Sequence, residues 1–332
     1  MSSENIISQL ADAIGSDALI TDFSEREYFS MDVFDIDQVA DLVFQPRSKN
    51  EISIALKILS ETDYQIIPRG GGMSYTGGYT PSTKRSVIVD TSLLNQILEI
   101  NPEDMYITVE AGCTWKSIYQ ALKPMGMRLP FFGTNSGSMA TVGGGLSNGA
   151  LFFGTGKYGS AADNVLGMEV IIADGTLIKT GQNAFANSKP HHRTYGPDMT
   201  GLFCHDAGSL GIKVQATFPL IYWPKSIDYL SFAYKTLEDS VAALSSVSKS
   251  GLTEECYVLD PSSAGNLADV SNIEGAKSVI KVFREQSSFI KGIKESFKMA
   301  FTGRSVIPDD AYSLHMVIAN HSQQALDCDL KA

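Results

Sequence analysis

The sequence predicts an α+β protein with two domains, and three observations support this. The chain has 332 residues, a length typical of roughly two domains. Between residues 39 and 128, short apolar runs alternate with amphipathic helical segments, as strands and helices would. From Ile227 onward the pattern changes to two further strand–helix passes, which indicates a second, smaller sheet with helices on one face.

The first 128 residues predict a regular order of elements. Ser48 with Glu51 forms a helix cap before apolar residues at helical spacing, and Thr114 caps a second such helix. In chain order, the predicted elements are a helix over 6–14, a strand over 39–45, a helix after Ser48, strands over 64–67, 87–90 and 107–110, and a helix after Thr114.

The rest of the chain divides into two patterns. A short helix of small residues is predicted over 142–150, a hairpin turns at Asp174-Gly175, and a long strand covers 210–220. Beyond Ile227 we expect strands over 229–234, 255–259 and 313–319, and helices over 237–247, over 273–301 and from Ser322. The expected domains are a helical lead-in (1–38), a domain over 39–222 with subdomains of about 39–128 and 129–222, and a partial domain over 227–332.

Composition and charge narrow the classes of function. Apolar residues make up 43% and charged residues 19%, as in soluble, core-forming proteins. The net charge is −11 without a basic stripe, so nucleic acid and anionic membranes are not expected partners. No apolar run reaches the length of a membrane span, and the acidic N-terminus lacks a signal-peptide pattern, so we expect a cytoplasmic protein. The four cysteines form no Cys-x-x-Cys pair, and no metal site is expected.

A glycine-rich loop over 68–78 is the most informative motif, with five glycines in eleven residues after a predicted strand. Backbone N–H groups in such a loop can surround a phosphate closely. A second small-residue stretch covers 133–145. Together, the two loops are predicted to bind a long dinucleotide from both sides. Neither loop fits a P-loop or a Rossmann fingerprint. The alternative for either loop is a mobile surface loop.

Four ordered blocks carry a family resemblance: residues 69–81, which begin Arg-Gly-Gly-Gly-Met-Ser, and residues 133–148, 158–175 and 198–212. Through these blocks the chain resembles the FAD-linked oxidases with a vanillyl-alcohol-oxidase (PCMH) type of FAD domain, and within them the D-lactate, glycolate and other 2-hydroxy-acid dehydrogenases. The resemblance implies a two-subdomain FAD-binding domain followed by an incomplete ferredoxin-like α+β cap domain. It also implies hydride transfer from a small hydroxy acid or alcohol to the flavin, with oxygen, a quinone or a cytochrome as electron acceptor.

The resemblance also implies the cofactor contacts. The pyrophosphate would be held by backbone groups of Arg69, Gly70, Gly71, Gly72, Met73, Ser74, Gly77 and Gly78. The path to the flavin would be lined by Thr134, Ser138, Thr141, Gly143 and Gly144, with Asn148, Tyr158 and Gly159 near the flavin or ribityl chain. The adenosine end would meet Asp163, Val165, Gly211 and Ile212. Covalent family members often carry a histidine where this chain has Met73-Ser74, so we expect non-covalent FAD.

The catalytic groups are less well indicated. Family members place catalytic histidines and an acid in a C-terminal segment, and we read the present C-terminus as cut. His191, His192 and His315 are weak candidates; an exposed loop for the first two and a packed core for the third are the simpler interpretations. Arg69 is expected to pair with a phosphate, whereas Arg128 and Arg193 are weaker candidates for a substrate carboxylate. The alternatives are a non-catalytic FAD-binding subunit and a phenol-type oxidase; a UDP-sugar reductase is disfavoured.

Overall fold

The computed structural model describes residues 3–33, 36–194, 196–262, 308 and 310–332. The chain divides into two compact units, Met1–Trp223 and Pro224–Ala332. Both combine helices with sheets, and the predicted α+β class is confirmed.

The first unit begins with a four-stranded sheet. Its strands are β1 (Leu19–Ile20), β2 (Leu42–Phe44), β3 (Gln65–Arg69) and β4 (Ser86–Asp90), in the order β1-β2-β4-β3. Strands β2 and β3 run parallel to β4, and β1 is antiparallel to β2. Strands β2 and β4 are buried along their whole length, which explains their continuous apolar sequences. The helices are α1 (Ser3–Ile14), α2 (Phe23–Ser30) and α3 (Lys49–Leu59).

A second, antiparallel sheet follows in the same unit. In chain order, the strands are β5 (Ile97–Asn101), β6 (Tyr106–Glu110), β7 (Met127–Arg128), β8 (Gly167–Ile171), β9 (Leu177–Lys179), β10 (Ile212–Pro219) and β11 (Ile221–Tyr222). Five of them pair in the order β5-β6-β10-β8-β9, while β7 pairs with β11. The predicted hairpin is confirmed: Ile171 pairs with Leu177, and Gly175 has φ +81° in the connection.

Short helices connect these strands. They are α4 (Trp115–Leu122), α5 (Val142–Asn148), α6 (Thr155–Tyr158), α7 (Ala161–Asn164) and α8 (Met199–Leu202), with 3₁₀ turns at Ser16–Ala18, Thr91–Leu93, Lys123–Met125 and Gln182–Ala184. Thr114 caps α4 as predicted, accepting from the Ser117 N–H at 3.1 Å. Thr141 caps α5 in the same way through Gly144. Helix α5 ends at Asn148, before the predicted residue 150, because Gly149 takes a left-handed conformation.

Helix α3 lies between the two sheets. Its cap is the predicted one, with the Glu51 N–H donating to the Ser48 hydroxyl at 3.2 Å. Its buried face belongs to one apolar cluster that contains residues of both sheets, among them Leu42, Phe44, Val87 and Val89 of the first and Ile171, Ile212 and Val214 of the second. Lys49 on α3 and Lys179 on β9 also both pair with Glu169, at 2.6 and 3.0 Å. The two sheets of this unit therefore share one core.

The second unit contains β12 (Ser226–Tyr234), α9 (Leu237–Ser250), β13 (Thr253–Leu259), β14 (Tyr312–Asn320) and α10 (Gln323–Asp329). The strands pair antiparallel in the order β12-β14-β13. Ser322 caps α10 through the Ala325 N–H, at the predicted start of that helix. The helix predicted over 273–301 lies outside the described residues.

Candidate cofactor site

The two glycine-rich loops lie directly against each other. The first loop continues from β3, and its Gly70 and Gly71 contact residues 139–141 of the second. A Cβ atom on Gly71 would overlap the Met139 carbonyl oxygen and lie 2.7 Å from the carbonyl carbon. A Cβ on Gly70 would overlap the Thr141 hydroxyl. These two glycines are therefore required for contact between the loops, a role that the sequence alone did not predict.

A pocket lies where the loops meet helix α5 and the start of β10. Eight of its lining residues are ones that the sequence analysis predicted, namely Arg69, Gly70, Gly78, Gly143, Gly144, Asn148, Gly211 and Ile212. The other lining residues are Pro68, Tyr79, Thr91, Ser147, Ala207, Gly208 and Lys213. The structure thus brings together residues from three of the four blocks that carry the family resemblance.

Arg69 is buried beneath the first loop. Its guanidinium carbon lies 5.0 Å from the Phe29 ring centre, 5.8 Å from that of Tyr28 and 5.6 Å from that of Tyr79. Its Nε atom is buried without a hydrogen-bond partner in the described part of the chain. A Cβ on Gly72, which has φ +65°, would lie 2.8 Å from the Arg69 guanidinium carbon. Arg69 therefore supports the loop from below, and its expected pairing with a phosphate stays a prediction.

The far end of the first loop is tied to the N-terminal segment. The Gly77 N–H donates to the Asp32 carboxylate at 2.9 Å, and the Val33 N–H donates to the Ser74 carbonyl at 3.3 Å. The Ser74 hydroxyl lies 3.0 Å from that of Thr76. Sequence reasoning missed Asp32, because nothing in the local pattern shows that residues 45 positions apart meet. In this structure the Gly77 N–H is thus directed at a carboxylate of the protein itself.

Several backbone groups of the second loop already have hydrogen-bond partners in the protein. The Gly143 N–H donates to the Ala111 carbonyl at 2.7 Å, and the Gly144 N–H donates to Thr141 at 3.3 Å. Asn148 donates its side-chain amide to the Gly144 carbonyl at 3.1 Å. Thr134 shares a hydroxyl contact of 3.2 Å with Ser136, and Ser138 is exposed. Because the Gly143 and Gly144 N–H groups already have acceptors, these glycines can contribute to a cofactor site mainly by their lack of side chains.

The four predicted contacts from residues 158–165 lie outside the pocket lining. Tyr158 ends α6, and Gly159 follows with φ +83°. The Asp163 carboxylate accepts from the Ser160 hydroxyl at 2.7 Å and from its N–H at 2.8 Å, and these bonds lower the Asp163 pKa. Val165 is fully buried in the core. Their contacts with FAD stay a prediction.

None of the histidine candidates is among the residues that line the pocket. His191 and His192 are exposed, and the Tyr106 ring meets His191 edge-on at 6.3 Å. In the second unit, His315 has Ser231 at 2.9 Å from Nδ1 and Ser313 at 2.9 Å from Nε2. Burial lowers the His315 pKa, which favours a neutral ring. No group of three His, Cys, Asp or Glu side chains placed for a metal occurs among the described residues.

The two weaker arginine candidates have partners within the protein. Arg193 pairs with Asp198 at 2.9 Å. Arg128 is buried, with its guanidinium carbon 4.5 Å from the Phe132 ring centre. Neither arginine lines the pocket between the loops.

A buried ion pair, missed by sequence reasoning, borders the pocket. The Lys213 ammonium lies 2.6 Å from the Asp206 carboxylate, and both side chains are 2% exposed. Burial lowers the Lys213 pKa, and the adjacent carboxylate offsets part of that effect. The second Asp206 oxygen is buried without a partner in the described part of the chain. A lysine within a predicted strand is ordinarily expected to be exposed, so the burial of Lys213 could not be predicted from the sequence.

Comparison with known proteins identifies the domain. Residues 40–181 match the family model described as an FAD binding domain. These residues form a PCMH-type FAD-binding domain. The site fits that cofactor, because the glycines leave its walls without side chains and the cationic residues Arg69 and Lys213 are among its lining residues.

The chain is also similar to curated relatives and to solved structures. It is 29% identical over 213 residues to D-lactate dehydrogenase [cytochrome] 1 of Saccharomyces cerevisiae, covering 64% of this chain and 35% of that protein. It is 32% identical over 209 residues to glycolate oxidase subunit GlcD of Bacillus subtilis, covering 62% and 42%. It is 28% identical over 303 residues to an Arabidopsis thaliana D-lactate dehydrogenase [cytochrome], covering 87% and 52%. The chain thus spans about half or less of the length of these relatives.

The solved structures agree in fold. A p-cresol methylhydroxylase structure matches with a TM-score of 0.77 at 18% identity, over 99% of this chain and 62% of that one. An alkyldihydroxyacetonephosphate synthase matches with a TM-score of 0.76 at 18% identity, over 100% and 58%. None of the helices in the described ranges has the length and apolarity needed to cross a membrane.

Proposed function

We propose that this protein is an FAD-dependent oxidoreductase that oxidises a 2-hydroxy acid or a related alcohol by hydride transfer to the flavin. The observation that carries the proposal is the FAD-binding domain over residues 40–181, with its glycine-lined pocket. Similarity to proteins named D-lactate dehydrogenase and glycolate oxidase supports a small hydroxy acid as substrate. The electron acceptor would be oxygen, a quinone or a cytochrome, and the cytoplasm is the proposed compartment.

The residues of the pocket would bind and orient the cofactor. Bound FAD would supply the hydride acceptor, while the protein supplies position and electrostatics. Gly70 and Gly78 leave the wall of the first loop bare, so that the phosphates can come close to the backbone. Arg69 fixes that loop by packing against three aromatic rings. Asn148, at the end of α5, also lines the pocket, close to Gly78, with its amide nitrogen held by the Gly144 carbonyl at 3.1 Å.

We further propose that FAD is held without a covalent bond. Met73 and Ser74 stand where covalent relatives of this family often carry histidine. A methionine thioether offers no comparable link to the flavin ring. Non-covalent contacts would therefore supply the whole affinity for the cofactor.

Anaerobic reduction of the bound flavin tests the proposed activity. The FAD-loaded protein is mixed with a panel of D- and L-2-hydroxy acids and with phenols, and bleaching of the flavin absorbance is followed. Bleaching by one enantiomer of a hydroxy acid is the expected result. Bleaching by phenols alone would indicate a vanillyl-alcohol-oxidase-like enzyme, and retained FAD without bleaching would indicate a binding subunit. The variants His191→Asn, His192→Asn and His315→Asn, measured in parallel, show whether any of the weak candidates contributes.

A further inference from the structure

The buried pair of Lys213 and Asp206 has hydrogen-bonding capacity that the described residues leave unused. An ammonium group carries three donors. In the described part of the chain, Lys213 gives one of them to Asp206 at 2.6 Å. The same carboxylate oxygen accepts the Gly208 N–H at 2.9 Å, while the other oxygen is buried without a partner. Buried donors without partners are costly, so the two remaining donors of the Lys213 ammonium suit this wall of the pocket to a ligand that accepts hydrogen bonds.

A buried ion pair is not by itself evidence of a stabilising role. Replacing a buried ion pair with apolar side chains of similar volume is often neutral or stabilising. Lys213 lies in β10, and its own side chain is only 2% exposed. An apolar residue would suit such a position in the strand. The presence of a charged lysine at this position therefore needs another explanation. Its place on the pocket wall suggests that the charge serves to bind a ligand.

The charges of the pocket indicate which ligand group the lysine would meet. Among the described residues that line the pocket, the cationic side chains are Arg69 and Lys213. The Arg69 guanidinium is packed among three aromatic rings under the loop. FAD brings a doubly charged pyrophosphate, and a hydrogen bond between an ammonium and a phosphate oxygen is among the strong ones in proteins. Lys213 has donors left for such a bond.

We propose that Lys213 is a cofactor-binding residue whose ammonium, oriented by Asp206, donates a hydrogen bond to the pyrophosphate of FAD. The inference rests on the proposed function only in placing FAD in this pocket. Asp206 acts as a positioning residue, because it holds the ammonium at the wall and balances its charge before the cofactor binds. The purely structural alternative is that the pair only fastens the loop before β10 to the strand.

Binding measurements on four variants separate these alternatives. The variants are Lys213→Met, Asp206→Asn, the double variant with both changes, and Lys179→Met as the control. Lys179 pairs with Glu169 at 3.0 Å on the same sheet but does not line the pocket. Affinities for FAD, ADP and riboflavin are measured by titration, and the stability of each FAD-free protein by urea unfolding.

We expect Lys213→Met to weaken FAD and ADP by at least about tenfold and to leave riboflavin, which has no phosphate, unchanged. The double variant should bind FAD as weakly as Lys213→Met. Lys179→Met should bind FAD normally. Wild-type FAD affinity in Lys213→Met or in the double variant would overturn the proposal, as would an equal loss for riboflavin. Wild-type protein that binds FAD but is not bleached by any substrate would refute the proposed activity and leave this inference standing.

Discussion

Replacing Gly71 with alanine should push the two glycine-rich loops apart. The added Cβ would lie 2.7 Å from the Met139 carbonyl carbon and 3.3 Å from the Ala140 nitrogen. Carbon atoms pack best at about 3.5–4.0 Å, so the loops must separate by about 1 Å to relieve the contact. Both partners are backbone atoms, which cannot rotate away as a flexible side chain would.

The expected cost follows from this overlap. Overpacking by a single carbon typically costs about 1–3 kcal/mol of the free energy of unfolding. In a unit of this size each kcal/mol lowers the melting temperature by roughly 2–4 °C. We therefore expect the melting temperature of the FAD-free protein to fall by about 2–12 °C, measured by scanning calorimetry. FAD affinity should fall as well, because the displaced loop forms one wall of the pocket.

Gly78→Ala is the matched comparison within the same loop. A Cβ there would meet its nearest protein atoms at 3.6 Å, an ordinary contact distance, yet Gly78 lines the pocket. Its FAD-free melting temperature should therefore stay at the wild-type value while its FAD affinity drops. A wild-type melting temperature for Gly71→Ala would refute the contact between the loops. Unchanged FAD affinity in Gly78→Ala would refute the placement of FAD against this loop.

Three further predictions follow from the site and the core. Acid precipitation should release all flavin into the supernatant, because Met73 offers no covalent link; flavin fluorescence that stays with the denatured protein on a gel would contradict this. Burial raises the pKa of Glu169, but the two lysine partners together lower it by more, so the net shift of the pKa is downward. The stability that this carboxylate contributes should be present above pH 4.5 and lost as the pH falls further, and Glu169→Gln should flatten that part of a urea-unfolding series. Burial raises the pKa of Cys113 to about 12, so iodoacetamide at pH 8 should label exposed Cys328 and leave Cys113 unmodified in a peptide mass map.

Local sequence signals predicted the elements whose formation depends on local chemistry. The cap at Ser48 and the turn at Asp174-Gly175 are confirmed. The cap needs only a side-chain oxygen three residues before an N–H group at the helix start, and the turn needs only a glycine that can adopt positive φ. Both interactions act within a few residues. Helix α2 and strand β5 were not predicted. The sequence of α2 has little amphipathic pattern, and an irregular register at Ile97/Glu99 interrupts the alternation of β5.

The candidate site shows a similar division. The sequence was enough to identify the glycines of the two loops as candidate site residues, because they lie close together along the chain. It could not predict which residues they contact, because those contacts depend on the fold. The sequence places Arg69 beside a phosphate loop, but the rings that surround it come from α2 and from Tyr79 beyond the loop. The burial of Lys213 likewise depends on the packing of the segment that precedes β10. Such long-range pairings leave no periodic signal in a single sequence.

The position of α3 has a consequence for how a cofactor could enter. One continuous apolar core joins the two sheets, so rotating one sheet away from the other would expose Ile171, Ile212 and Val214 to water. That exposure costs about 25 cal/mol for each Å² of apolar surface. The cleft is consequently formed before any ligand arrives, and little binding free energy is spent on closing it. Uptake and release of a dinucleotide would then depend on movement of the loops that line the pocket, and the rate of cofactor exchange would report on those loops.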